Sequence, residues 1–210
     1  MSPLRFFLAH RSEILGATLE HMTLVLIAML IAIAIAVPLG MFIVRRPGLR
    51  TVALALASIF QTIPSLALFG FLIPIPFLGG IGKRTAIVAL VLYALLPILR
   101  NTYVGLTGID PAVLEAAEAM GMTPSQILLR VRLPLAMAVI LAGIRTATVI
   151  TIGVATIAAA IGAGGLGTFI FRGVAMVSDA VILAGAIPAA ALALLADGLL
   201  ALLERRLRIT

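Results

Sequence analysis

No charged residue occurs between Met22 and Val44, and none between Thr51 and Ile73. A water-facing fold cannot hide uncharged runs of this length in succession, whereas a bilayer core needs roughly 20 apolar residues for each crossing helix. Three further apolar runs, at about 85–106, 135–161 and 181–203, carry one charge each: Arg100, Arg145 and Asp197. A chain of 210 residues accommodates about five such spans with short connections. One compact membrane domain over 21–204 is expected, with no room for a separate extramembrane domain.

Composition agrees and removes several function classes. Hydrophobic residues make up 63% and charged residues only 11% of the chain, too little polar surface for a soluble exterior. The net charge of +7 does not indicate nucleic acid, because the arginines sit in ones and twos at the ends of apolar runs, where orientation and snorkelling place them. Cysteine is absent, so disulfides and thiolate metal sites are excluded. His10 and His21 are isolated and lack metal-ligand spacing, and no cofactor is expected. The N-terminus lacks the pattern of a removable signal peptide. Residues 1–20 read as a short external amphipathic helix at the interface, capped at Ser12.

Positive charge predicts orientation. With the turn after span one inside, Arg45, Arg46, Arg50, Arg100, Arg130, Arg132, Arg205, Arg206 and Arg208 face the cytoplasm, against Arg5, Arg11, Lys83, Arg84 and Arg172 outside. This bias predicts a multi-pass membrane protein with its N-terminus outside and the tail 205–210 in the cytoplasm. Lys83 and Arg84 run against the trend. The longest polar stretch, 107–134, then lies inside.

Two glycine motifs mislead. Residues 162–167 (GAGGLG) satisfy the dinucleotide pattern, but they follow a membrane span rather than a strand, and Asp179 comes too early for the acidic partner. A tight non-helical turn in the link 162–173 is expected instead. Residues 79–84 (GGIGKR) lack the leading glycine of a phosphate loop, since Phe77 stands there, and Arg84 replaces its Ser or Thr. The chain therefore has no predicted nucleotide site, and it is not predicted to be an enzyme. Energy for any transport must come from another protein or an ion gradient.

The stretch 107–134 is the most informative. Asp110 and Pro111 are a cap and a first-turn proline. Good helix formers follow, and Gly121 ends the helix. Thr123, Pro124 and Gln126 predict a second start with a capping box, and Pro134 leads into span four. Two short helices joined by a tight turn form a preorganised elbow. Glu115 and Glu118 share a flank, and Ala116 and Ala117 permit close approach by another protein. An ordinary amphipathic loop packed on the bundle fits these residues equally well.

Glu115, Ala116 and Ala117, Gly121 after three intervening residues, and then Leu133 and Pro134 resemble the EAA signature of ABC importer permeases. Val131 replaces the usual isoleucine. The runs 61–68 (QTIPSLAL), 93–103 (YALLPILRNTY) and 142–148 (AGIRTAT) resemble glycine betaine/carnitine/choline permeases, and the likeness extends over about 18–204. It implies an all-α integral membrane fold of the type I, methionine-permease-like kind. It also implies two short cytoplasmic coupling helices between spans three and four. Glu115, Ala116, Ala117, Glu118, Gly121, Leu133 and Pro134 would then serve ATPase coupling. The implied partners are two cytoplasmic ATPase subunits, a second permease copy or a paralogue, and an extracytoplasmic solute-binding protein.

A backbone break inside a membrane is tolerated where protein or a water-filled cavity covers it. Pro64, with Gln61, Thr62 and Ser65 around it, either lines a translocation path or is a kink satisfied by a neighbouring span. Pro97 with Asn101 is a weaker pathway candidate, and Tyr93 is one of two tyrosines that could meet a quaternary ammonium. With so few aromatic residues, tight recognition is assigned to the binding protein. Arg145, with Thr148 and Thr151 on one polar stripe, must be paired, hydrated or snorkelling, and Asp197 is a candidate partner. The rivals are another solute such as methionine or phosphonate, a secondary carrier using Arg145, Asp197 and Glu20 as a relay, and a non-transporting scaffold.

Overall fold

The computed structural model describes residues 3–207, and among these every regular element is helical. Four helices are long and apolar enough to cross a membrane, and a bent pair makes a fifth. Helix α1 (Pro3–Ala9) precedes α2 (Arg11–Ile43), the first span. Helices α3 (Pro47–Thr62) and α4 (Ser65–Leu72) form the second, α5 (Lys83–Thr107) the third and α6 (Pro111–Ala119) the elbow. Helix α7 (Pro124–Gln126) runs through a π-helical segment (Ile127–Arg132) into α8 (Leu133–Ile157), the fourth span. A short α9 (Gly167–Ala175) precedes the last span, α10 (Asp179–Leu207).

The expected boundary at residue 20 is absent. Ser12 lies inside α2, and His10 stands at that helix's N-cap without a side-chain capping bond. Helix α1 is packed rather than floating at the interface: Phe6 and Ile14 are buried in one cluster with Phe169, Val181 and Ala184. Two other expectations also change. The link 162–173 runs into α9 from Gly167 onward, and the second elbow helix is continuous with span four through Pro134, which closely follows the π-helical segment. Arg208 lies outside the described residues.

Small residues set the packing. Ala28, Ala32 and Ala36 are fully buried and recur every four residues along α2, and a Cβ at Gly40, next in that series, would lie 2.5 Å from Thr102 of α5. Without a hydrophobic force between helices in lipid, close van der Waals approach carries the association. Gly143 of α8 shows how close it is: a Cβ there would lie 2.6 Å from Asn101 Cβ and 2.7 Å from the Pro97 carbonyl oxygen of α5. Large aliphatic side chains such as Leu26, Leu30, Leu195 and Leu199 point outward, as lipid-facing positions should.

The bundle has two chemically distinct ends. One gathers the 45–50 turn, the end of α5 and the elbow, joined by Arg45 Nη2 to the Pro124 carbonyl at 2.5 Å, Arg50 Nη1 to Tyr103 Oη at 2.9 Å and Arg132 Nη1 to the Leu106 carbonyl at 2.9 Å. At the other, Glu20, just before the apolar run of α2, meets Lys83 at 2.5 Å and accepts from the Gly165 N–H at 2.9 Å. Arg45, Arg50 and Arg132 of one set of cations and Lys83 of the other therefore lie at opposite ends. Lys83, one of the two cations against the trend, is neutralised by Glu20.

Candidate functional site

The elbow forms as its capping chemistry dictates. Asp110 Oδ1 accepts from the Ala112 N–H at 2.9 Å, starting α6. At its other end Gly121 adopts φ +78°. That conformation lets Met122 N–H reach the Ala117 carbonyl at 3.2 Å and Gly121 N–H reach the Glu118 carbonyl at 2.9 Å. This bond pair closes a helix around a left-handed residue that glycine adopts without strain. Thr123 and Gln126 exchange both bonds of a capping box, Thr123 N–H to Gln126 Oε1 at 2.7 Å and Gln126 N–H to Thr123 Oγ1 at 3.4 Å.

Glu115, Ala116, Glu118 and Gly121 are exposed along this elbow, with Val113 and Met120 beside them. Ala117 is not: at 2% exposure it is turned into its own chain, so it cannot offer close approach to a partner. Its small side chain instead lets α6 sit against the rest of the chain. Leu133 is half-buried and Pro134 exposed where the π segment becomes α8. A π-helical turn is a rare geometry that concentrates at functional places, and here it joins the elbow to a membrane span.

The second span breaks at Ile63 and Pro64, and its halves meet at 104°. Ile63 is extended at φ −68° and ψ 128°, as a residue before proline must be. The Tyr93 hydroxyl donates to the Ile63 carbonyl, so a neighbouring span satisfies that carbonyl. Tyr93 is 6% exposed; it braces the break and does not face an open path, which corrects the expectation for it. Thr62 and Pro64 are exposed, and Gln61 and Ser65 half-buried, around the bend. Thr62 Oγ1 returns to the Ile59 carbonyl at 2.8 Å.

Asn101 is committed to packing: its Nδ2 donates to the Pro97 carbonyl at 2.8 Å beneath Gly143. Thr148 Oγ1 donates to Ile144 at 2.8 Å, and the residue lines an apolar cavity of about 110 Å³ with His21 and Ile152. Arg145 finds the partner anticipated for it. Its Nε reaches Asp197 Oδ1 at 2.6 Å and its Nη2 reaches Asp197 Oδ2 at 2.8 Å, a two-pronged match of planar fork to carboxylate. Glu204, two turns along α10, adds a contact at 3.5 Å. These three residues border an open cavity of about 410 Å³ with Ala142, Thr146, Val149 and Ile150. Charges this far along a span require protein or water over them, not lipid.

Sequence reasoning missed the node at the opposite end. Gly162, Gly164 and Gly165 take φ +75°, +84° and +76°, so the turn is glycine-driven as expected. Its docking onto Glu20 and His21 was not foreseen. His21 is fully buried, with Nε2 at 3.1 Å from the Ile152 carbonyl. The signal was a carboxylate and an imidazole side by side at the head of an apolar run.

A bundle of membrane spans with a capped elbow at its basic end defines a multi-pass transport permease subunit. The chain belongs to the binding-protein-dependent transport system inner membrane component family, whose profile matches residues 28–209. The choline transport system permease protein OpuBB of Bacillus subtilis (strain 168) is 46% identical over 204 residues, covering 97% of this chain and 92% of that one. The osmoprotectant import permease protein OsmW of Salmonella typhimurium is 44% identical over 202 residues, covering 95% and 94%. An inward-facing structure of the MetNI methionine ABC transporter superposes with a TM-score of 0.83 at 26% identity, covering 99% of both chains. The ABC importer permease fold inferred from the sequence is therefore the fold of this chain.

Proposed function

We propose that this chain is the permease subunit through which a quaternary-ammonium osmoprotectant, of the choline, carnitine and glycine betaine class, enters the cell. The substrate class rests on the relatives, which carry choline and osmoprotectant import in their names at close to half identity. The methionine transporter is a more distant likeness and makes methionine the weaker assignment.

The observation that carries the mechanism is the elbow: α6, capped at both ends and exposed along Glu115, Ala116, Glu118 and Gly121, joined by a tight turn to a second helix that continues through the π segment into span four. A separate ATPase dimer docks there on the cytoplasmic side. Closure of that dimer on ATP moves α6, and the continuous helix Pro124–Ile161 carries the displacement into the membrane. Two permease subunits, alike or paralogous, enclose the path, and an external binding protein delivers the solute. The exposed bend at Thr62 and Pro64 contributes to the path, as does the face bearing Arg145. In this arrangement the N-terminus is outside and Arg205 and Arg206 are inside.

The chain lacks cysteine, so single-cysteine labelling tests this directly. Ala116→Cys should label with an impermeant thiol reagent only in inverted vesicles and be protected by the ATPase; Phe77→Cys should label only from outside. The reverse pattern would sink the assignment. Replacing the exposed, helical Ala116 with tryptophan should leave the permease folded yet lower transport per ATP hydrolysed, and an unchanged ratio would reject the docking role.

A further inference from the structure

Pro38, Met41, Phe42, Arg45, Arg46 and Leu128 enclose a groove of about 440 Å³ between the end of α2 and the π segment. Its floor is apolar, and its rim carries two adjacent guanidinium groups at the point where the first span ends. Neither arginine forms an ion pair among the described residues. Arg46 lies 4.5 Å above the Phe42 ring, and Arg45 gives one N–H to the Pro124 carbonyl at 2.5 Å. Each guanidinium has five donors, so most of this donor capacity remains. Phe42 is itself 51% exposed.

We propose that this groove binds one anionic phospholipid, its phosphate held by Arg45 and Arg46 and an acyl chain lying along Met41, Phe42 and Leu128. Snorkelling arginines that only set orientation need no groove beneath them. Here two forks that suit phosphate stand over an apolar channel at the level where a headgroup meets the hydrocarbon. Basic pockets between spans are suited to anionic headgroups for that reason. A soluble phosphate would use the rim and leave the floor bare, so the lipid is the occupant that matches both. The proposal requires only that the chain spans a bilayer and does not rest on the coupling role of the elbow. Because Arg45 also holds Pro124, a bound lipid would order the side chain that ties the first turn to the start of α7.

Native mass spectrometry of the full transporter complex in detergent tests the site. The complex is offered phosphatidylglycerol, phosphatidylcholine or glycerol 3-phosphate. Phosphatidylglycerol should be retained by the parent complex. Retention should fall roughly thirtyfold in the double variant Arg45→Gln with Arg46→Gln, taking the usual contribution of a basic side chain near an anionic surface. Phosphatidylcholine adducts should not change. Met41→Trp, which fills the floor and keeps both charges, should also lower phosphatidylglycerol retention, while Arg5→Gln with Arg11→Gln at the opposite end should not. Equal retention by parent and Arg45/Arg46 variant overturns the proposal. So does displacement of the lipid by equimolar glycerol 3-phosphate, or loss of the ATPase from that variant with lipid retention intact. If the double variant does not accumulate, undiminished retention in Met41→Trp overturns it alone.

Discussion

Arg145 on span four and Asp197 on span five meet through two parallel N–H···O bonds of 2.6 and 2.8 Å, with Glu204 3.5 Å from the third guanidinium nitrogen. The pair fixes the relative rotation and depth of α8 and α10, since a fork and a carboxylate match in one register only. It also marks the face on which it lies. Arg145 lies twelve residues beyond Leu133, about 18 Å along α8, and its contact with Glu204 sets it toward the end of α10 that carries Arg205 and Arg206.

Removing either charge should therefore lower transport, and exchanging them should restore part of it. Arg145→Asp and Asp197→Arg singly should each lose most uptake of labelled substrate in vesicles. In the combined exchange the double-mutant cycle should return a coupling of roughly fivefold or more. Asp197→Asn should cost more than Glu204→Gln, because the bidentate partner is Asp197. Absence of any rescue would mean that the charges act separately.

Tyr93→Phe should loosen the broken span. The change deletes the hydroxyl that satisfies the Ile63 carbonyl and leaves the ring in its pocket. Hydrogen bonds between membrane helices contribute about 0.6 kcal/mol on average, so a modest fall in Tm of the purified protein is expected. Faster amide exchange confined to residues 60–66 would locate it. Exchange spread evenly along α3 and α5 would contradict the bracing role.

The glycine turn should tolerate nothing larger at Gly165. Its φ is +76°, and a Cβ there would stand 3.2 Å from His21 Nδ1. A left-handed conformation costs an ordinary residue about 1–2 kcal/mol before any clash. Gly165→Ala should therefore reduce accumulation of folded protein. Gly153→Ala is the control: that glycine is helical with open space around it, and the change should be neutral or stabilising by up to about 1 kcal/mol. Equal effects at both sites would show that the turn's geometry does not matter.

Asp110→Ala and Thr123→Val should each weaken the elbow by about 1 kcal/mol, the usual worth of a helix cap. The global unfolding temperature should barely move, because α6 contributes little buried surface beyond Ala117. Amide exchange over 111–126 should rise locally in the isolated permease and fall again when an ATPase subunit is added. Exchange that ignores the ATPase would count against docking at this place.

The apolar runs, the glycine punctuation and the capping residues act within a few residues of one another, so the sequence displayed their consequences. Met22 onward reads as a span because lipid leaves its backbone no other partner than itself. Asp110, Gly121, Thr123 and Gln126 read as an elbow because each bond they make closes within five residues. The separation of cations into two sets was legible for the same reason, as a property of run ends.

Tertiary structure decided what depends on partners far along the chain. Nothing near Tyr93 announces that its hydroxyl serves a carbonyl thirty residues earlier, or that Glu20 receives a glycine N–H from position 165. Ala117 looked like its neighbour Ala116 until folding turned one inward and left the other out. Ser12 resembled a cap only because α1 and α2 could not be seen packing on the last span. Local bonds are written in order along the chain. Contacts between helices depend on rotation and depth, which sequence spacing leaves free and close packing alone resolves.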